Sequence, residues 1–352
     1  MGDKINYFHS VPTISDEDIE AVVSVLKQKH LEDGEIVEEL ENAMRKIFSR
    51  KYAIATNNGF SAIHLALIGL NVSCEDEVIL PSYSCPALLN PILLQKAIPV
   101  VVDIEANSFN ISIEGVKDKI NKRTKAIIVP HLFGFPARID EINGLGIPVI
   151  EDCAQSIGGK YKNKKLGTFS DISIFSFYAT KMICAGDGGM ILTDDKNLFE
   201  KIRNYRYYGH KRNHRYVAYN YHMTNLPAAL AISQLKRIDK FIEARKQIAQ
   251  TYDSCFANID SIKIDFKNKE DSIYYRYPIK VAYRDFIKKN LRKKRIFTGF
   301  GVLEGMHQLM NLNAEDFSNT EDCLKNILSL PIYPSLSIDQ AILIAKEVLN
   351  SI

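Results

Sequence analysis

The sequence is most informative first for what it lacks. No apolar run in its 352 residues is long enough to cross a bilayer. The opening MGDKINYFHS has no apolar core of the kind a secretory signal needs. It begins Met-Gly, but Asn6 breaks the pattern for N-terminal myristoylation. The six cysteines form no C-x-x-C pair and no regular spacing. With no secretory signal, this predicts reduced thiols and a cytoplasmic location. Charge is nearly balanced, 45 basic against 42 acidic residues, so composition names no polyanionic partner. The basic run from Arg284 to Arg295 reads as a solvated helix face, because no stacking pattern accompanies it. Neither nucleic acid nor membrane is therefore expected as a partner. Repeats and low-complexity segments are absent, and the missing tryptophan excludes nothing.

What is present is an alternation of short apolar strands and amphipathic helices. Within residues 11–29, Pro12 and Ser15 precede an apolar run of helical periodicity, with Asp18 three residues after Ser15 marking its start, and a second helix is expected from about Ile36 to Phe48. Strands are expected at Tyr52–Thr56, Glu77–Pro81, Pro99–Asp103, Lys125–Pro130 and Ile147–Ile150, with helices between them. That order gives an α/β fold with a mainly parallel, buried sheet flanked by helices. A long helix is expected from Thr224 to Tyr252, with Pro227 in its first turn. It places a boundary near residue 250, between a large domain (1–250) and a smaller C-terminal α/β domain (251–352). In the second domain a strand over Ser272–Val281, a basic helix and a final helix from Ser337 are expected.

The chemistry concentrates between Glu151 and Thr193. Two apolar strands each deliver polar groups at their C-terminal ends, Glu151 and Asp152 from the first, Ser176 and then Lys181 from the second. A turn, Gly186-Asp187-Gly188-Gly189, leads into another strand. Ligands of open α/β sheets collect at this edge. A lysine amine there can form a Schiff base with an aldehyde cofactor. A carboxylate can keep a pyridine nitrogen protonated. Both residue types are also common as solvated side chains at strand ends. Upstream, Asn57-Asn58-Gly59 turns a strand into a helix, whose free N–H groups and dipole suit a phosphate. His131 lies at another strand end near the same edge, where a lone histidine is more often structural. His210 and His214 have H-x3-H spacing without a cysteine pair, so no metal site is expected. The glycine turn does not extend to G-x-G-x-x-G, because position 191 is Ile, which disfavours a plain nucleotide-binding enzyme.

Taken together, Glu-Asp-x-Ala-Gln, Ser-Phe-x-x-Thr-Lys and Gly-x-Gly-Gly resemble the sugar aminotransferase (DegT-like) family of fold-type I pyridoxal phosphate (PLP) enzymes, over about residues 7–350. The resemblance implies a PLP/PMP cofactor linked to Lys181, with Asp152 on the pyridine nitrogen and Gln155 near the ring hydroxyl. Ser176, Ser61 and the backbone at Phe60 would hold the phosphate, with Asn220 reaching it from a second subunit of a homodimer. Glutamate is the implied amino donor and a keto nucleotide-sugar the acceptor, in two half-reactions with ping-pong order and Lys181 moving the proton. A lysine at 181, where some relatives have histidine, favours amination over deoxygenation. Four positions depart from the family pattern, one of them Ala218 in place of a glycine. Phe60 stands where a threonine is usual, and His222 where an arginine is. Cys85 stands where an aromatic residue stacks on the cofactor ring and offers only a thin contact. Tyr83 is a candidate substitute, while the plainer reading of Cys85 is a small buried residue. Basic and aromatic side chains over 205–216 could help hold a diphosphate. A PLP-binding protein without turnover, or a PLP enzyme with another acceptor or reaction, are the alternatives.

Overall fold

The computed structural model describes residues 6–208 and 217–352. Its centre is a seven-stranded sheet formed by β1 (Tyr52–Thr56), β2 (Glu77–Pro81), β3 (Ile98–Val102), β4 (Thr124–Pro130), β5 (Val149–Asp152), β8 (Ile172–Ser176) and β9 (Gly189–Thr193). A small hairpin, β6 (Lys160–Tyr161) with β7 (Lys164–Lys165), sits between β5 and β8 in sequence. The spatial order is β1-β9-β8-β5-β4-β2-β3. Pairs from β8 through β3 are parallel, and only β9 runs against its neighbours. The expected mainly parallel sheet is what forms.

Strand alternation feeds a core on each face. Along β4, Ile127 and Val129 enter one core while Ala126 and Ile128 enter the other. The first core is closed by helix α2 (Glu35–Phe48), which buries Val37, Leu40, Met44 and Phe48, one helical stripe. The second is closed by α3 (Gly59–Gly69), buried from Ser61 to Gly69. An apolar helix without a polar face belongs between layers.

Two boundaries differ from the sequence reading. The long helix expected at Thr224–Tyr252 is two helices, Asn225–Leu235 and Ile238–Phe256. Nothing in the local sequence breaks it. Gln234 and Arg237, either side of the bend, both bond the buried Asp18 carboxylate of α1 (Asp16–Gln28), and that shared anchor holds the turn. The strand expected over Ser272–Val281 is paired only at Tyr277–Val281, as β11; residues 272–276 instead pack along the large sheet's loops. With β10 (Ile262–Lys263) and β12 (Ile327–Leu330) it forms a second, antiparallel sheet. The helix Ile238–Phe256 runs through residue 250 and contributes Ile248 onward to this second core, which also takes up Tyr7 and Val11. No helix among the described residues is long and apolar enough to cross a membrane.

Candidate active site

The fold brings the C-terminal ends of β1, β2, β4, β5 and β8 to one edge, and a cleft opens there. Phe60, Cys85, His131, Asp152, Gln155, Ser176 and Lys181 all line it. Of the residues expected to hold the cofactor or act on it, Ser61 and Asn220 stand outside its lining.

Alternation in β5 separates its two carboxylates. Asp152 faces the cleft and is 7% exposed. Glu151, one residue earlier, turns away from it and is fully buried. It accepts the N–H groups of Gly167 (2.6 Å), Phe169 (3.0 Å) and Ser170 (3.3 Å), and His131 Nε2 lies 3.2 Å from it. His131 Nδ1 accepts the Ala137 N–H at 3.0 Å, so Nε2 carries the ring proton and donates to Glu151. Both ring nitrogens are thus occupied, and His131 presents only its ring to the cleft. Cys153 completes a cluster with these two, its ligand atoms within 4.8 Å of theirs. Burial holds its thiol well above the ordinary range, away from the thiolate that would bind a metal.

Burial also pushes the Asp152 carboxyl up, while the Ala154 N–H (2.8 Å) and the charge on Lys181 pull it back. A buried carboxylate with only partial compensation suits a cationic ring nitrogen as its partner. Gln155 is fixed by its Oε1, which accepts the Phe133 N–H at 2.7 Å, leaving its NH2 end as a donor.

At the start of α3, Asn58 is the N-cap, and its Oδ1 accepts the Ser61 N–H at 2.8 Å. This corrects the expected cup: the Ser61 amide is spent on the cap, and Ser61 lies buried behind the cleft lining. Gly59 and Phe60, the first helical residues, supply amides with no intrahelical acceptor. Gly59 presses against β8. A Cβ there would meet Ser176 Cβ at 2.9 Å, so the close approach needs glycine. The result is an anion cup of backbone amides beside the Ser176 hydroxyl, with a lysine and a carboxylate in the same cleft. That donor set fits a phosphorylated pyridine aldehyde.

Cys85 is exposed to the cleft, not buried. Tyr83 does not replace an aromatic there. It is fully buried with Phe109 and Phe133 in a separate aromatic cluster. The loop carrying these residues is fastened from the C-terminal part. Ser82 Oγ lies 2.5 Å from His307 Nδ1, and His307 Nε2 lies 2.8 Å from Glu321. The order Ser-His-Glu resembles a nucleophile triad, but Ser82 is sealed from solvent and serves as a clamp. Asn220 is exposed. Its backbone bridges Tyr207, and its carbonyl accepts from Asn57 Nδ2 at 3.5 Å, beside the glycine turn of its own chain. His210, His214 and most of the 205–216 segment lie outside the described residues.

A model of the DegT/DnrJ/EryC1/StrS aminotransferase family matches residues 12–349. The chain belongs to this family. GDP-perosamine synthase of Escherichia coli O157:H7 is 34% identical over 331 residues, covering 90% of each chain. Among solved structures, the aminotransferase PseC of Helicobacter pylori, involved in pseudoaminic acid biosynthesis, superposes with a TM-score of 0.91 at 28% identity, covering 99% of both chains. NtdA of Bacillus subtilis, solved with bound PMP, gives a TM-score of 0.86 at 26% identity, covering 99% of this chain and 87% of that one. DegT/DnrJ/EryC1/StrS members of this kind are PLP-dependent sugar aminotransferases of fold-type I, and this chain is one of them.

As a DegT/DnrJ/EryC1/StrS aminotransferase, it has site features that sequence reasoning missed. Tyr178 and Asp187 line the cleft, Tyr178 half-exposed. Tyr275, from the far C-terminal part, lies against Lys181, whose Nζ is 5.3 Å from its ring centroid. Asn58 had a local signal, an asparagine before a helix start. Tyr275 had none, since nearly one hundred residues separate it from Lys181.

Proposed function

We propose that this chain transfers the amino group of glutamate to a keto group of a nucleotide-linked sugar, in two successive half-reactions through one cleft. The observation that carries it is the convergence of Lys181, Asp152 and the Gly59–Ser176 anion cup on that cleft. The named activity of the perosamine synthase relative supports a nucleotide sugar as acceptor.

When bound, PLP supplies an electron sink that stabilises negative charge at the donor's α carbon. Asp152 holds the pyridine nitrogen's proton, and the buried setting strengthens that pairing. The amides at Gly59 and Phe60, with the Ser176 hydroxyl, would orient the phosphate. Gln155 donates its NH2 toward the ring substituents. Lys181 links the cofactor at rest. Once displaced by the donor, its amine would take the proton from the donor's α carbon as general base and return it as general acid to the carbon on the other side of the intervening nitrogen. Two half-reactions through one cleft would require the keto product to leave before the sugar binds, which gives ping-pong kinetics. A homodimer with Asn220 completing the partner's phosphate site fits its exposure outside its own cleft. Six free cysteines, none paired, suit a reducing cytoplasm.

The test is a spectrum of the purified protein with PLP and then glutamate, for wild type and Lys181→Ala. The expected result is a visible band in wild type that glutamate bleaches, and no such band for Lys181→Ala. No band in wild type overturns the reading. A band indifferent to glutamate removes glutamate as the donor.

A further inference from the structure

Tyr275 lies two residues before β11, in the unpaired segment against the large sheet's loops, and it is 4% exposed. Its position is fixed from several sides. The Arg245 Nη1 group donates to the carbonyls of Tyr274 (3.3 Å), Tyr275 (3.2 Å) and Ile332 (2.8 Å). The Arg276 N–H donates to Phe133 O at 3.2 Å. Gly134, at φ +87°, lets the two segments touch: a Cβ there would meet the Tyr275 nitrogen at 3.0 Å and Ile273 Cγ1 at 2.9 Å. The phenol is held as well. Arg276 Nη2 donates to its oxygen at 3.1 Å, and Thr180 Oγ1, from the residue before Lys181, lies 3.4 Å from it. The Arg276 guanidinium is stacked 4.4 Å from the ring centroid. Lys181 Nζ lies 5.3 Å from the same centroid, within range of a cation–π contact. A ring so firmly placed is a seat for whatever lies on it.

The proposed function requires such a seat. Lys181 must leave the cofactor in each half-reaction, remain within reach, and return. A free alkylammonium on a four-carbon stem would otherwise swing through many rotamers. We propose that Tyr275 is a positioning residue whose ring face holds the released Lys181 side chain beside the reacting carbon while it carries the abstracted proton as an ammonium. The claim rests on the aminotransferase reading only for its consequence; the seat itself exists without cofactor. The segment leading into β11 thereby contributes directly to the catalytic edge of the large sheet, through a residue outside every motif of the large domain.

The experiment compares wild type, Tyr275→Phe and Tyr275→Met. In the cofactor-free proteins, the rate at which an amine-acylating reagent modifies Lys181 is read by peptide mass spectrometry. In the PLP-loaded proteins, the rate of glutamate-driven bleaching is followed. Losing the ring should raise Lys181 labelling about threefold to tenfold in Tyr275→Met, the range of a partly desolvated cation–π contact. It should slow bleaching by a similar factor with little change in half-saturating glutamate. Tyr275→Phe, which keeps the ring, should restore protection and most of the rate. If Tyr275→Met does not fold, stepwise fluorination of phenylalanine at 275 weakens the ring's negative face without changing its shape, and labelling should rise with each fluorine. Labelling that ignores ring chemistry overturns the proposal, as does a Phe variant no better protected than Met. Failure of wild type to bleach with glutamate counts against the donor reading and leaves the labelling result standing.

Discussion

Glu151→Gln is the sharpest test of how the site is supported. The two glutamate oxygens divide four donors between them. Oε1 takes Gly167 N–H and His131 Nε2, and Oε2 takes Phe169 N–H and Ser170 N–H. Glutamine fits the same space but has one acceptor oxygen and one NH2 group. Whichever way the amide is turned, its NH2 faces two donors that have lost their acceptor. Each stranded buried donor costs about 1–3 kcal/mol, so the variant should lose about 4 kcal/mol of stability. Urea denaturation of the cofactor-free protein measures this as a lowered midpoint. The loop from Gly167 to Ser170 and the His131 ring should loosen together, and retention of PLP should weaken with them. A loss below about 1 kcal/mol would refute the reasoning, because it would mean that these donors had found other partners.

Asp152→Asn should cut glutamate-driven bleaching by about two orders of magnitude, measured by stopped flow, because a neutral amide cannot hold the pyridine nitrogen's proton. The same change should stabilise the cofactor-free protein at neutral pH. Burial raises the Asp152 carboxyl above its ordinary 3.8, so the ionised wild-type residue costs stability once pH rises through its folded value. The advantage should therefore vanish below pH 3.8, which thermal melts across pH would show. Gly59→Ala should weaken PLP binding about tenfold by pushing the turn off Ser176, read by cofactor titration. His64, buried on α3, is lowered by burial to about 4. Its unfolded state binds a proton near pH 6.5 and its folded state does not. Stability should therefore fall as pH drops from 6.5 toward 4, and NMR titration should show the ring neutral until about pH 4.

The sequence by itself determined the sheet strands, the edge at which chemistry gathers, and the motif residues that reach it. Those signals are local. Apolar runs with polar groups at their C-terminal ends specify where Asp152, Ser176 and Lys181 emerge, and a glycine turn specifies the anion cup. Tertiary structure decided what surrounds them. It turned Glu151 away from the cleft into a nest of amides on another loop, and it took the Ser61 amide for the Asn58 cap. It buried Tyr83 among phenylalanines and left Cys85 facing the cleft without an aromatic substitute from its own loop. It broke a continuous helical pattern at Arg237 for the sake of one carboxylate on α1, and it brought Tyr275 against Lys181. Each of these depends on atoms far apart along the chain meeting within a few ångströms. Periodicity and spacing describe a residue's own segment and contain no term for such meetings, so only the folded chain could settle them.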